Sequence, residues 1–144
     1  MRTPRRLRAV VPGASEVVLG HDLRPSSPTL AAACIQAVTD AVLKVVFVCA
    51  LPTPAVAYFA ATRKAPAIII TGSHIPFDRN GIKFYRANGE ISKVDEQAML
   101  ATAVDVPPDF QPKVLPVINA EVWAAYVQRY VSFFGKGALR GMRV

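Results

Sequence analysis

Apolar segments and alanine-rich segments alternate along the first half of the chain. The segments 16–20, 44–49 and 67–70 consist almost entirely of apolar residues, as is typical of strands buried inside a sheet. Between them, 28–42 and 54–62 begin with a proline, which favours the first turn of a helix, and are rich in alanine. This alternation of strand and helix predicts a layered α/β domain with right-handed crossovers.

The second half of the chain predicts fewer elements. A fourth strand is expected at 82–85, after an Asn-Gly turn, and helices are expected at about 93–104 and 120–134. Ser26 or Ser27 is expected to cap the first helix. The predicted fold is a three-layer α/β/α domain with a mixed, mainly parallel sheet of about four strands.

Apolar side chains recur at helical spacing in the first and last helices. The predicted buried face of the first helix consists of Leu30, Ala33, Cys34, Ala37, Val38 and Ala41. The predicted apolar stripe of the last helix consists of Val122, Trp123, Tyr126, Val127, Tyr130 and Val131.

Charge alters this picture only at the two ends of the chain. The net charge is +7, from 17 basic and 10 acidic residues, and basic residues crowd 1–8 and 136–143 without acidic neighbours. Basic ends of this kind are able to touch nucleic acid or anionic surfaces. We expect no nucleic-acid partner, however, because the chain contains no recognisable nucleic-acid-binding motif.

The uncharged run at 45–62 raises the question of a membrane span. Pro52 and Pro54 divide that run into a strand, a turn and a helix, so we expect no membrane partner. Cys34 and Cys49 lie in apolar runs and lack the C-x-x-C spacing of a zinc site. Buried free thiols are typical of a reducing compartment, which predicts a cytoplasmic location.

The stretch Thr71-Gly-Ser-His-Ile-Pro76 carries most of the candidate chemistry. It follows the third predicted strand, and ligands of parallel α/β sheets gather beyond the carboxyl ends of strands. There, His74 is available to position or deprotonate the Ser73 hydroxyl, and Lys83 to act as a cation or proton carrier. These residue types suit phosphoryl transfer. The alternative is an ordinary surface turn, and a serine hydrolase is disfavoured because G-x-S-x-G is absent.

A second polar segment, Asp22-Leu-Arg24, follows the first predicted strand. It is therefore expected at the same edge of the sheet as Ser73. Two interpretations stay open for Arg24: it pairs with a phosphate, or it forms an ion pair with Asp22 that fixes the loop. Neither G-x-G-x-x-G nor a P-loop follows any of the first three strands, which disfavours nucleotide binding.

Three motifs in the same order give the chain a family resemblance. TGSHIP followed by NGIKFY resembles the phosphoserine loop of the α-D-phosphohexomutases, the phosphomannomutase/phosphoglucomutase superfamily, in which T-[AG]-S-H-N-P precedes N-G-[IFLY]-K. The segment GHDLRPSS at 20–27 is similar to their G-x-D-x-R-x-S, and LPTP at 51–54 to their P-T-P turn. The resemblance covers about 17–134 and extends to the first of that family's four domains.

The resemblance implies roles for five residues. Ser73 would carry the phosphoryl group, pass it to a hexose phosphate, and regain a phosphate from the bisphosphorylated sugar. His74 and Lys83 match the positions that support this transfer, Lys83 as an acid/base or charge partner. Arg24, which matches the basic position facing the serine, and Asn80 would support the substrate phosphate. Mg²⁺ is the implied cofactor, bound to Ser73 through its phosphate.

Several departures from the family pattern shape the expected domain organisation. The metal-binding motif D-G-D-x-D-R is absent from this sequence, and Val42 and Cys49 stand where relatives often have glycine. We expect an irregular basic segment at 1–15, a phosphohexomutase domain I-like region at 16–134, and a truncated linker towards a second domain at 135–144. The chain is then an incomplete enzyme that is inactive alone and has the other phosphohexomutase domains as partners. The alternative is a non-catalytic fragment or interaction module, with exposed apolar surface around its last helix.

Overall fold

The computed structural model describes residues 13–101 and 114–143 of the chain. Its elements follow the predicted order, and they are β1 (Glu16–His21), α1 (Ser27–Asp40), β2 (Lys44–Ala50), α2 (Thr53–Thr62), β3 (Ala67–Ile70), β4 (Ile82–Arg86), β5 (Gly89–Glu90), α3 (Lys93–Ala101) and α4 (Glu121–Phe134). The end of the third predicted helix, at 102–104, lies outside the described residues, as does most of the predicted irregular segment. None of the helices in the described ranges is long and apolar enough to cross a membrane.

The sheet is mixed and has the strand order β2-β1-β3-β4-β5. β1 lies between β2 and β3 and is parallel to both, whereas β4 and β5 add antiparallel pairs. The sheet therefore has five strands instead of the predicted four or so. The additional strand, β5, is only two residues long and belongs to the Asn88-Gly89 segment, which by sequence indicates no more than a turn.

Helices cover both faces of the sheet, which confirms the α/β/α fold. The core between α1 and the sheet consists of Val17, Leu19, Ala31, Ile35, Val38, Ala41, Leu43, Phe47, Ile68 and Ile70. The core on the opposite face, under α2 and the start of α4, consists of Val18, Val46, Val48, Val56, Phe59, Ala60, Ala65, Ala67, Ile69 and Val122. Adjacent strand residues alternate between the two cores, as the pleat of a strand buried on both faces requires.

The buried side of α1 matches the predicted one only in Val38 and in Ala41, which lies just after the helix. Ala31, Ile35 and Val38 form it, whereas the predicted Leu30 and Cys34 are only half-buried at its edge. Alanines surround the whole helix, so its apolar pattern has little contrast, and packing on β1 decides the rotation.

Two local features bring the strand ends into register. A bulge between β1 and β2 pairs Gly20 with Cys49, and Cys49 takes a positive φ of 57°. A Cβ built on Gly20 would lie 2.8 Å from Val56 Cγ2, so only glycine lets α2 pack this closely on β1. On the other side, the Asp22 amide donates to the Ile70 carbonyl at 2.9 Å. The carboxyl ends of β1 and β3 therefore meet at one edge of the sheet.

Candidate functional site

The loop at 71–81 leaves the carboxyl end of β3 and returns into β4. It is closed at its base, where the Thr71 amide donates to the Gly81 carbonyl at 3.0 Å. Ser73 is exposed and takes a positive φ of 46°, a conformation that costs a side-chain-bearing residue free energy and is found most often at functional sites. The Ser73 amide donates to Thr71 Oγ1 at 3.0 Å, which holds the backbone on one side of the serine.

Two consecutive turns build this loop. In the first, the Ile75 amide donates to the Gly72 carbonyl at 2.9 Å, and in the second the Arg79 amide donates to the Pro76 carbonyl at 3.0 Å. Turns leave other carbonyls pointing away from the ladder of the sheet, and these need donors from elsewhere.

Arg24 supplies those donors. Every N–H of its guanidinium has an acceptor within the protein: Asp22 Oδ2 for Nε (3.2 Å), the carbonyls of Pro76 (2.6 Å) and Arg79 (2.9 Å) for Nη1, and those of Ser73 (3.3 Å) and Ile75 (2.9 Å) for Nη2. The side chain is only 11% exposed, and its carbonyl partners come from both turns of the loop.

Asp22 connects Arg24 to the sheet and to α1. Its Oδ1 accepts from the Ser27 hydroxyl (2.5 Å) and the Arg24 amide (3.0 Å), and its Oδ2 accepts from the Gly72 amide (3.1 Å). Burial raises the pKa of this carboxyl, but hydrogen bonds from Ser27, Arg24 and Gly72 outweigh burial and lower the pKa from 3.8 to about 2. Asp22 is therefore charged whenever the protein is near neutral pH.

Asn80 closes the network from the far end of the loop. Its Nδ2 donates to Ser26 Oγ (3.0 Å) and Ser27 Oγ (2.8 Å), and its Oδ1 accepts from the Gly81 amide (3.0 Å). Ser27 is fully buried, and neither Ser26 nor Ser27 makes the side-chain cap expected at the start of α1. The Ser27 hydroxyl donates to Asp22 instead, and its oxygen accepts from Asn80 Nδ2 and from no backbone amide of α1.

His74 and Lys83 occupy different surroundings. The His74 Nδ1 lies 3.4 Å from Ser73 Oγ, longer than a strong hydrogen bond, and both side chains are exposed. Lys83 is half-buried in β4 opposite Ile69. Within the described residues, the Lys83 side chain has no hydrogen-bond or ion-pair partner, so its charge is available to a ligand.

The structure thus brings most of the predicted residues to one edge. Ser73, His74, Arg24 and Asn80 share the loop or its hydrogen bonds, whereas no hydrogen bond joins Lys83 to Ser73 among the described residues. Ser27 is the residue that sequence reasoning assigned only to a helix cap. The G-x-D-x-R-x-S pattern ends at Ser26 in this chain, so that motif carried no signal for Ser27.

The donor set for a metal ion is incomplete. In the two described ranges, no three His, Cys, Asp or Glu residues lie together as a group able to hold a metal. Both oxygens of Asp22, the carboxylate that bonds the serine loop, are occupied by N–H and O–H donors. Mg²⁺ sites generally use one or two carboxylates together with phosphate oxygens. The described residues therefore do not fit a magnesium site by themselves.

Comparison with known proteins adds an independent result. Residues 5–106 match the family described as phosphoglucomutase/phosphomannomutase, alpha/beta/alpha domain I. The chain is 44% identical to a phosphomannomutase of Salmonella muenchen over 89% of the chain, and 41% identical to a phosphomannomutase of Sinorhizobium fredii over 94% of it. It is also 39% identical to a phosphoglucosamine mutase of Deinococcus deserti over 74% of the chain. The matches span only 26%, 29% and 24% of the lengths of these relatives.

Proposed function

Because this chain belongs to the phosphoglucomutase/phosphomannomutase family and matches its domain I, we propose that it carries the phosphoryl-accepting serine of a phosphohexomutase. The observation that carries the proposal is the state of Ser73. Its hydroxyl is exposed beyond β3, its φ of 46° is strained, and every turn of its loop is hydrogen-bonded. An exposed nucleophile on a rigid, strained loop is the arrangement expected of a preorganised acceptor.

In the proposed step, Ser73 Oγ forms a bond to the phosphorus of a hexose bisphosphate while the bond from phosphorus to the sugar oxygen breaks. The hydroxyl proton leaves Ser73, and the sugar oxygen gains a proton as it departs. His74, whose Nδ1 lies 3.4 Å from Ser73 Oγ, is the nearest proton acceptor, and Lys83 offers positive charge to the transferred group. In the isomerisation this step comes second: phosphorylated Ser73 first transfers its phosphoryl group to the free hydroxyl of a hexose monophosphate, and the resulting bisphosphate turns round and returns its other phosphate to Ser73.

The full reaction requires groups from outside this sequence. Magnesium would neutralise charge on the transferred phosphate, and a phosphorylated Ser73 would contribute one ligand to it, but the carboxylates of D-G-D-x-D-R are absent from the 144 residues. We therefore propose hexose phosphates as substrates and the remaining phosphohexomutase domains as partners, and we expect the chain to be inactive alone. The free thiols Cys34 and Cys49 support a cytoplasmic location.

Phosphorylation of Ser73 tests this function directly. The purified chain is incubated with a hexose bisphosphate and Mg²⁺, alone and mixed with the remaining domains of a relative. The intact mass then counts the phosphoryl groups added, and peptide mapping locates them. We expect one phosphoryl group on Ser73, none in Ser73→Ala, and wild-type behaviour in Ser132→Ala, which removes an exposed hydroxyl of α4. A coupled mutase assay of the same samples measures turnover. Transfer to another residue, or none in either sample, would contradict the proposal.

A second candidate function rests on α4. Val122 is the buried residue of this helix, whereas Trp123 is 58%, Phe133 82% and Phe134 61% exposed. An apolar surface of this kind favours a non-catalytic interaction module. Trp123 is the single tryptophan of the chain, so its fluorescence reports on this surface alone. A blue shift on adding the remaining domains, without any phosphorylation of Ser73, would favour the second candidate over the first.

A further inference from the structure

The guanidinium of Arg24 has no donor left for a ligand. An arginine has five N–H donors in a planar fork, and here each one points at an acceptor of the protein itself. A phosphate could bind Arg24 only by displacing one of these acceptors from its N–H donor.

The carbonyl partners of Arg24 define the path of the serine loop. Those of Ser73 and Ile75 belong to the first turn, and those of Pro76 and Arg79 to the second. One planar group therefore fixes the relative orientation of both turns. It also reaches the peptide that follows Ser73, the residue whose positive φ must be held in place by its surroundings.

The position of the guanidinium is fixed in turn by Asp22. The carboxylate accepts from both the amide and Nε of Arg24, and from the Gly72 amide at the base of the loop. A Cβ built on Gly72 would lie 2.2 Å from Arg24 Cζ, so the fork lies directly against the loop backbone. Asp22 and Arg24 thus connect the end of β1 to the Ser73 loop.

From these contacts we infer that Arg24 is a positioning residue: its guanidinium sets the conformation of the Ser73 loop and does not bind the substrate phosphate. The inference rests on the proposed phosphoryl transfer for its kinetic consequence only. Its structural content, a guanidinium held entirely by Asp22 and the carbonyls of the loop, is independent of that function.

Nuclear magnetic resonance of the unmodified chain provides the first test. A guanidinium whose N–H groups are all hydrogen-bonded rotates slowly, so we expect separate, slowly exchanging Nη proton signals from Arg24. These signals should stay unchanged when inorganic phosphate or a hexose phosphate is added. Averaged signals, or signals that shift on titration with either phosphate compound, would overturn the inference. Because this experiment uses the unmodified chain, it does not depend on the folding of any variant.

Arg24→Lys provides the second test, because lysine keeps the charge but replaces the planar fork by a single nitrogen. We expect amides at 71–81 to exchange about tenfold faster or more while amides of β1 and β3 keep their protection. Arg79→Lys is the matched control, since the Arg79 side chain is exposed and has no partner among the described residues. Unchanged loop exchange in Arg24→Lys would overturn the inference.

The kinetic arm separates positioning from substrate binding. In Ser73 phosphorylation, Arg24→Lys should lower kcat about tenfold or more with little change in KM for the hexose bisphosphate. A raised KM with unchanged kcat would instead identify Arg24 as a phosphate ligand. If wild-type Ser73 accepts no phosphate at all, the proposed function fails, and the exchange and resonance measurements still decide the role of Arg24.

Discussion

Asn80 donates a 2.8 Å hydrogen bond to the hydroxyl of Ser27, a residue 53 positions earlier in the chain. Ser27 is fully buried, and its hydroxyl donates a hydrogen bond to Asp22 Oδ1 at 2.5 Å. The end of the Ser73 loop, the start of α1 and the end of β1 are therefore joined through one hydroxyl group. A buried hydroxyl that both donates and accepts a hydrogen bond stabilises one arrangement of the segments it joins more than either bond alone.

The first prediction concerns this hydroxyl. Ser27→Ala removes the buried hydroxyl that donates to charged Asp22 and is one of the two acceptors of Asn80 Nδ2, so the free energy of unfolding should fall by about 2 kcal/mol. Ser26→Ala is the matched control, because Ser26 also accepts from Asn80 but is exposed. Its effect should stay within about 0.5 kcal/mol. Urea unfolding at neutral pH measures both, and equal losses would show that Ser27 adds nothing through burial.

The second prediction concerns acid. The pKa of Asp22 is about 2 in the folded chain against 3.8 for an ordinary carboxyl, so the unfolded state binds the proton first as pH falls. The contribution of Asp22 to stability is present above the unfolded pKa and is lost as pH falls from about 4 towards 2, with a total on the order of 2 kcal/mol.

Urea unfolding of wild type and Asp22→Asn, from about pH 6 to about pH 3, checks this pH dependence. The stability difference between the two proteins should shrink as pH falls. Asp40→Asn, which removes an exposed carboxylate at the end of α1, is the control for the loss of one negative charge. A difference between wild type and Asp22→Asn that does not change with pH would contradict the depressed pKa of Asp22.

The sequence predicted the parts of the fold that are written in local patterns. Apart from the ends of β1 and the first residue of β2, the strands β1, β2 and β3 are apolar because both of their faces are buried, and the Ser73 loop carries a recognisable motif. The five acceptors around Arg24 were out of reach, because they depend on the register of β1 against β3. No local pattern contains that register. The two-residue β5 was missed for a related reason: its pairing with β4, and not its own residues, makes it a strand.

At Val42 the chain departs from the family pattern, and the backbone conformation of this residue gives the physical meaning of that departure. Relatives often have glycine there, and in this chain Val42 takes a φ of 58° directly after α1. A β-branched residue in this left-handed conformation costs about 1–2 kcal/mol. The sequence identified an unusual residue, whereas the positive φ explains why glycine suits the position.

The third prediction follows from that strain. The Val42 side chain is 83% exposed, so Val42→Gly gives up little buried surface and should raise the free energy of unfolding by about 1 kcal/mol. Val117→Gly is the control: Val117 is 94% exposed and has no positive φ. That substitution should be neutral or destabilising, because glycine only adds disorder to the unfolded chain. Thermal unfolding compares the two, and a lower Tm for Val42→Gly would argue against strain at this position.

The fourth prediction concerns Lys83, the cation that the hydrogen bonds of the loop leave unused. With Arg24 saturated by protein acceptors, Lys83 is the basic side chain of the NGIK motif that remains available to a phosphate. Lys83→Gln should slow Ser73 phosphorylation by a hexose bisphosphate about tenfold or more, because positive charge on the transferred group is lost. Thermal stability should change little, since no described partner of the Lys83 side chain is removed.

Lys93→Gln is the control for Lys83. Both lysines line the same groove beside β4, but Lys93 is already paired with Glu96 at 2.6 Å and its side chain is 87% exposed. Phosphorylation of Ser73 should therefore keep its wild-type rate in Lys93→Gln. Equal losses of phosphorylation rate in the two variants would attribute the effect to the overall positive charge of the groove. A wild-type rate in Lys83→Gln would show that Lys83 takes no part in the transfer. A loss confined to Lys83→Gln, with the Tm retained, would assign the phosphate-facing charge to β4, while Arg24 holds the loop that presents the serine.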